Sequence, residues 1–440
     1  MEQESPLKFK WILIFEAVFA GAYISLTNGL FVIYLVSIGY AIEGISFVMF
    51  ALAVASMLIG TFLHKRSSFI VSRVKLKLTG FHGLTRIIWL LIPLTTSSLL
   101  ISVLYSMFTI FNGVNSTFFT FAVYSSLAED DIRDVTAKRS AANGISSILG
   151  FVLGVFLLAF LPAEDKFAYI FPLGALLGLM STLLILLLNL SHLEGAPIPK
   201  VTEQPEKIFS ASLFLVILLT SGNLLGIIWA PYVMNHLKGP DFLAASMSLV
   251  GTFTSIIASL FWRKKAFKAL SAGLAFNTFG PLLILATPWP SFHVPINAYT
   301  TFMFTGANFL GTFLFANYTK WFGAVRSSLL LVILGTAAQM VAGLLGILVK
   351  ENHLLAFSLV FAIQAAATIL AVITISEVAV VPEDVARTYS WGLYSNSIMG
   401  YQTAVEISRE TILDILKLAA LSLVIFALYL IYRVLWMLIG

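Results

Sequence analysis

A chain of 440 residues that is 59% hydrophobic and 11% charged, with mean hydropathy +0.96, has too little polar surface for a water-soluble globule. Its net charge of +5 sits mostly in short gaps between apolar stretches, where it meets anionic lipid head groups, so no nucleic-acid partner is expected. The absence of cysteine rules out disulfides, thiolate metal sites and thiol catalysis.

About fourteen apolar stretches approach the ~20 residues that cross a bilayer as helix. Backbone polar groups in lipid must bond internally, which makes such stretches helices and the chain an all-α polytopic membrane protein. In chain order they cover 11–37, 44–63, 80–95, 97–127, 140–162 and 167–190, then 208–236 and 241–262. The last six cover 269–288, 296–320, 326–349, 354–378, 389–408 and 412–437. The first stretch lacks a small-residue cleavage site and reads as an uncleaved span. Lys65 to Leu78 mixes basic and apolar residues and reads as a helix lying on the inner leaflet. The stretch 191–207, with its Pro, Glu and Lys, reads as a flexible cytoplasmic connector. Tyr389 to Ser408 is rich in Ser, Asn, Tyr and Gln, and reads as either a cavity-lining span or a surface helix.

Lysine and arginine resist translocation and accumulate in cytoplasmic loops. With the N-terminus inside, 19 of the 26 fall in inside loops and 5 (Lys166, Lys238, Lys350, Arg409, Lys417) outside, while Arg86 and Arg433 lie within spans. The asymmetry holds loop by loop, and an even number of spans places both termini in the cytoplasm. A plasma-membrane location is expected.

Short words repeat at a fixed distance. Gly60-Thr61-Phe62-Leu63 recurs as Gly311-Thr312-Phe313-Leu314, Gly29 meets Gly280, and Ser147-Ile148-Leu149-Gly150 meets Ser397-Ile398-Met399-Gly400. In that register 1–190 and 263–440 are pseudo-symmetric six-helix bundles, 191–207 is a linker and 208–262 is an inserted transmembrane hairpin. A second register matches 208–262 and its basic Arg263-Lys264-Lys265 to the first two spans. The second half is then 208–378, and the last two spans are an appendix.

An ionisable group inside a span marks function by default. Glu16 and Arg86 lie at similar depth in the first and third spans, close enough in height to pair. They read as a coupling carboxylate and its partner, or as a structural pair. Near midplane Asn28, Tyr105, Asn112, Asn115, Asn277, Asn308, Gln339, Gln364, Asn396 and Gln402 are candidates for lining a solute cavity, with interhelix bonding as the alternative role. The six histidines are scattered without metal-ligand spacing, and no nucleotide loop is present, so neither metal nor cofactor is expected.

The loops resemble those of the major facilitator superfamily. After its second span that family carries a Gly, an Asp-Arg and a basic cluster; here Gly60 leads to His64-Lys65-Arg66, Arg73, Lys75 and Lys77, without the Asp. Between spans four and five it has acidic residues, then an Arg entering a Gly-rich helix; here these are Glu129-Asp130-Asp131, Arg133, Lys138-Arg139, Gly144, Gly150 and Gly154. The last repeat offers Glu377, Glu383-Asp384, Arg387 and Gly392. In the antiporter motif of that family Val155 stands where a Pro belongs. The resemblance implies a cytoplasmic loop network of Lys65, Arg66, Glu129, Asp131, Arg133, Arg139, Glu377 and Arg387, and a solute site between two rocking bundles.

The expected function is secondary transport of a small solute by alternating access, coupled to a proton or sodium gradient in either direction. A membrane-embedded lipid enzyme would need a convergent acid, base or metal set, for which Glu129-Asp130-Asp131 with Asp134 is the nearest candidate. A non-transporting scaffold or receptor is the third reading.

Overall fold

The structure is a computed structural model, which describes residues 6–66, 69–127, 129–162, 165–195, 208–262 and 265–374. All regular secondary structure among them is helical. Ten stretches are long and apolar enough to cross a membrane, the first Leu7–Ser37 and the last His353–Val372. The first twelve predicted spans each fall on a described helix or helix arm; 389–408 and 412–437 lie outside the described residues.

The first span is a broken helix. Helix α1 (Pro6–Leu26) stops at Thr27, a 3-10 turn covers Asn28–Leu30, and α2 (Phe31–Ser37) completes the crossing. Broken backbone at membrane depth must find internal partners, and the Thr27 hydroxyl donates to the Tyr23 carbonyl at 2.6 Å. Helices α3 (Ile42–Lys65), α4 (Val74–Leu91), α5 (Ser98–Ser126), α6 (Glu129–Phe160) and α7 (Lys166–Leu186) follow. Helix α1 packs on α6 and α7, α3 on α5, and α4 on α5 and α7. The basic stretch 65–78 is not the separate helix that its composition predicts. The chain turns between Arg66 and Arg73, which adopts a left-handed φ of 49°, and Val74 onward is already α4. Lys77 holds that turn, donating to the Phe69 carbonyl at 2.7 Å and to Ser72 Oγ at 2.6 Å.

Glycines set the approach of α1 to α6. A Cβ at Gly150 would sit 3.1 Å from the Ala22 backbone, and one at Gly154 would sit 3.1 Å from Leu30 Cδ1. These are the two glycines of the antiporter-like word, and here they let two helices meet closely, as small residues at four-residue spacing do in membranes.

Helix α8 (Ile208–Pro231) ends in a π-turn, Tyr232–His236, and is followed by α9 (Asp241–Trp262). Helices α10 (Phe267–Asn277) and α11 (Gly280–Ala286) are one span broken before Gly280-Pro281. Asn28 and Asn277 therefore both stand at breaks.

The helical stretch α12 covers His293 to Val349, 57 residues, and cannot be straight. At ~1.5 Å per residue it would be about 85 Å long. Both of its ends instead meet α8 at nearly the same level. His293 Nδ1 accepts from Trp229 Nε1 at 3.0 Å, and a Cβ on Gly346 would lie 3.7 Å from Ile227. The helix thus doubles back between two antiparallel arms, matching the separate spans predicted over 296–320 and 326–349. The first arm packs on α9 and α10, with Trp262 Nε1 donating to the Phe302 carbonyl at 2.9 Å and Tyr299 to the Phe276 carbonyl at 2.7 Å. The second arm packs on α8 and α3, with Thr220 donating to the Ala338 carbonyl at 3.3 Å and Gly343 against the Phe50 backbone. Helix α13 (His353–Thr374) brings His353 and Phe357 to the ring of Tyr232.

Candidate functional site: a buried charge cluster beside a cavity

Four helices carry the cluster. Glu16 and Tyr23 lie two turns apart on one face of α1, His82 and Arg86 four apart on α4, and Gly178 and Thr182 four apart on α7. Arg139 comes from α6. Gly178 makes the space: a Cβ there would meet Arg86 Cγ at 2.6 Å and the Tyr23 ring at 2.8 Å.

Glu16 is 2% exposed. Its Oε2 accepts from Arg139 Nη2 at 2.7 Å, and its Oε1 lies 3.5 Å from His82 Nε2. Arg86, 3% exposed, reaches Glu16 only through the imidazole, with its Nη2 2.8 Å from His82 Nε2. A guanidinium can only donate, so Nε2 accepts and Nδ1–H donates to Thr182 Oγ1 at 2.7 Å. That assignment makes His82 neutral. Arg86 also lies 4.4 Å over the Tyr23 ring and donates to Thr85 Oγ1, and its Nε is buried without a partner. Arg139 is held at the Leu13 carbonyl through Nε at 3.1 Å and stands 4.4 Å over the Phe119 ring. Glu16 thus pairs directly with one guanidinium, Arg139, and meets the other only across the imidazole.

Arg139 also faces a cavity of about 680 Å³ between α1, α6, α9 and the first arm of α12. Its lining is mixed: Ser140, Asn143 and Ser147 from α6, Thr252 and Ser255 from α9 and Thr301 from α12 supply polar groups, beside Ala17 and Ile256. Arg139 alone is charged among the described lining residues. The arrangement can bind a polar solute on one side of a guanidinium while a shielded carboxylate holds the other.

The sequence candidates are dispersed around this site. Asn28 Oδ1 accepts from Tyr105, whose ring stacks on Phe31 at 3.9 Å in an aromatic core with Trp89 and Phe108. Asn112 is exposed and Asn115 buried, although they are three apart; Asn115 Oδ1 has no partner. Asn277 and Gln364 are buried with an unpartnered amide atom each. Asn308 is half-buried on α12, and Gln339 reaches Met49 Sδ at 3.9 Å. None of these lines the cavity. Asp131 pairs with Lys10, and Arg66 is exposed beside the Phe62 ring. The side chains of Lys65, Glu129 and Arg133 are outside the described set, as are Asn396, Gln402, Glu377 and Arg387 altogether.

The sequence reading did not single out His82, Tyr23 or Thr182, and it placed Arg139 in a loop. The signals were present but weak. His82 stands four residues before Arg86, and Arg139 directly precedes a predicted span whose helix begins about three turns earlier.

No family model and no curated protein matches the chain. Solved structures do. A bacterial homologue of the iron transporter ferroportin, in an inward-facing state, superposes with TM-score 0.63 at 15% identity over 83% of this chain and 98% of its own. The nucleoside transporter NupG gives 0.59 at 11% over 85% and 99%. A bacterial homologue of the human lysosomal transporter Spinster, inward-facing and occupied, gives 0.55 at 12% over 88% and 97%. At such identities the likeness establishes the fold, that of polytopic transporters.

Proposed function

We propose that the chain is a secondary active transporter of the major facilitator type, moving a small solute by alternating access. The observation that carries this reading is the buried Glu16–Arg139 pair on the wall of a partly polar cavity. A shielded carboxylate that reaches a cavity only through a guanidinium can gain or lose a proton as the cavity opens and closes, which is the requirement for coupling to a proton gradient. Sodium would need oxygen ligands, and the cavity offers it hydroxyls and amides beside a positive charge, so the proton is the better fit.

The two halves of this transporter are 6–186 and 208–374, the second of the two sequence registers. Recurring contacts support it. Helix α1 packs on α6 as α8 packs on the second arm of α12, and α3 on α5 as α9 on the first arm. Across the halves, α3 meets the second arm and α6 meets α9. The solved transporters are covered almost completely while 12–17% of this chain has no counterpart in them, about the length of the last two predicted spans. The Lys/Arg distribution places the Lys10–Asp131 end of the bundle in the cytoplasm and the Lys166–Asp241 end outside.

The native chain has no cysteine, so Ser255→Cys creates a single thiol in the cavity. An impermeant maleimide should label it from either side, with the two rates moving in opposite directions as pH is changed. A pore would move both rates together. Labelling from one face only would fit an enzyme or scaffold and overturn the proposal.

A further inference from the structure

We infer that the solute of this cavity is a small oxyanion, a carboxylate or phosphate ester, seated on Arg139, and that Glu16 competes with it for that guanidinium. The inference rests on the transporter reading and names its substrate class.

Charge balance is the first argument. Arg139 pairs with the carboxylate of Glu16, and Arg86 lies on the far side of His82, which its bonds to Arg86 and Thr182 hold neutral. Among the described side chains the cluster therefore counts two positive charges and one negative. Among the described residues the cavity wall thus carries a positive charge and no negative one, which attracts an anion and repels a cation. A cation would meet Arg139 first, because Glu16 lies behind it and does not line the cavity. A neutral solute would leave Arg139 without a counter-charge once Glu16 is protonated.

Geometry is the second argument. Arg139 spends Nε on the Leu13 carbonyl and Nη2 on Glu16, yet it lines the cavity and its side chain keeps 28% exposure, which leaves Nη1 as the donor group not engaged by those two bonds. A guanidinium takes planar oxyanions through paired donors. Around it Ser140, Asn143, Ser147, Thr252 and Ser255 supply hydroxyl and amide groups for a hydroxylated body. A volume of about 680 Å³ admits a solute of several carbons with its waters.

Competition follows. Ionised, Glu16 holds Arg139 against α1. Protonated, it loses its claim on Nη2, and the released fork is free for the solute. The proton comes from the medium and returns to it when the pair re-forms, so solute and proton bind together and travel in the same direction.

The test uses the purified full-length chain in a thermal-shift assay with gluconate and glycerol 3-phosphate as oxyanions, glucose and glycerol as neutral counterparts, and choline as a cation. Gluconate or glycerol 3-phosphate should raise the midpoint, and whichever does so identifies carboxylate or phosphate ester. Its apparent affinity should be roughly 10-fold tighter near pH 5.5 than near pH 7.5. Arg139→Gln should abolish the shift and Arg139→Lys should weaken it. Glu16→Gln should bind near pH 7.5 as tightly as the native chain does near pH 5.5, which keeps the test valid if Arg139→Gln fails to fold. No oxyanion shift, an equal shift from the neutral compounds or choline, or an oxyanion shift that survives Arg139→Gln overturns the inference. Labelling of Ser255→Cys from both faces without an oxyanion effect overturns it while leaving the transporter reading. Oxyanion binding through Arg139 with one-faced labelling does the reverse.

Discussion

Glu16 and Arg139 are 123 positions apart in the chain and 2.7 Å apart in space, and the arginine of the pair is the one that looks into the cavity. A carboxylate buried to 2% exposure has no water to solvate it, so its charge depends on that arginine. The pair joins the first and sixth helices, which pack along their length, so a change in its protonation is felt where those helices pack.

Breaking the pair from one side leaves Glu16 with only the distant His82 contact. Arg139→Gln should therefore destabilise the protein by roughly 3 kcal/mol, read as a lower denaturation midpoint in detergent. Adding Glu16→Gln to it should recover much of the loss, because the lone buried carboxylate is gone. Additive losses in the double variant would show that the two residues act separately.

Close packing of α1 on α6 gives a second expectation. Gly150→Leu drives a side chain into Ala22 and Ser25 and should cost about 2 kcal/mol. Gly226→Leu, where a Cβ meets nothing within 4 Å, should be tolerated. Equal stability of the two variants would count against the packing described here.

The doubled-back course of α12 is measurable as a distance. Phe292 and Leu348 are exposed and 56 positions apart. Spin labels at these positions should lie within about 25 Å of each other, whereas a straight helix would hold them roughly 80 Å apart. A distribution centred at the long distance contradicts the two-arm description.

Lys166 and Asp241 form a pair at 2.8 Å, with side chains 14% and 16% exposed, linking the starts of α7 and α9. In the proposed topology the pair ties the halves together at the outer end. Asp241→Asn should accelerate outside labelling of Ser255→Cys by about 10-fold and slow it from the cytoplasm. Unchanged rates would remove the pair from any gating role.

The membrane class and the helices beneath the first twelve stretches were legible because length and hydropathy are one-dimensional properties, and ten stretches are long and apolar enough to cross a membrane. Glu16 was legible too, as a carboxylate in an apolar run has few structural excuses. Its partner was not. Arg86 shares its depth, but which neighbour a side chain meets depends on helix rotation and on gaps such as Gly178, and neither is written in hydropathy. Hydropathy puts Arg139 in a loop because its helix begins about three turns before the apolar run does. The amides failed as a group for a related reason. Asn112 and Asn115 share a face by spacing, yet one is exposed and the other buried, since the edge of a helix contact falls between them.

The most direct test of the account is Glu16→Gln in proteoliposomes, with the oxyanion that binds as solute. The substitution preserves shape and removes titration. Uptake driven by a pH gradient should collapse to the level of passive exchange, while exchange at equal pH continues near the native rate. Gradient-driven uptake that persists in Glu16→Gln would make the carboxylate structural and place coupling elsewhere.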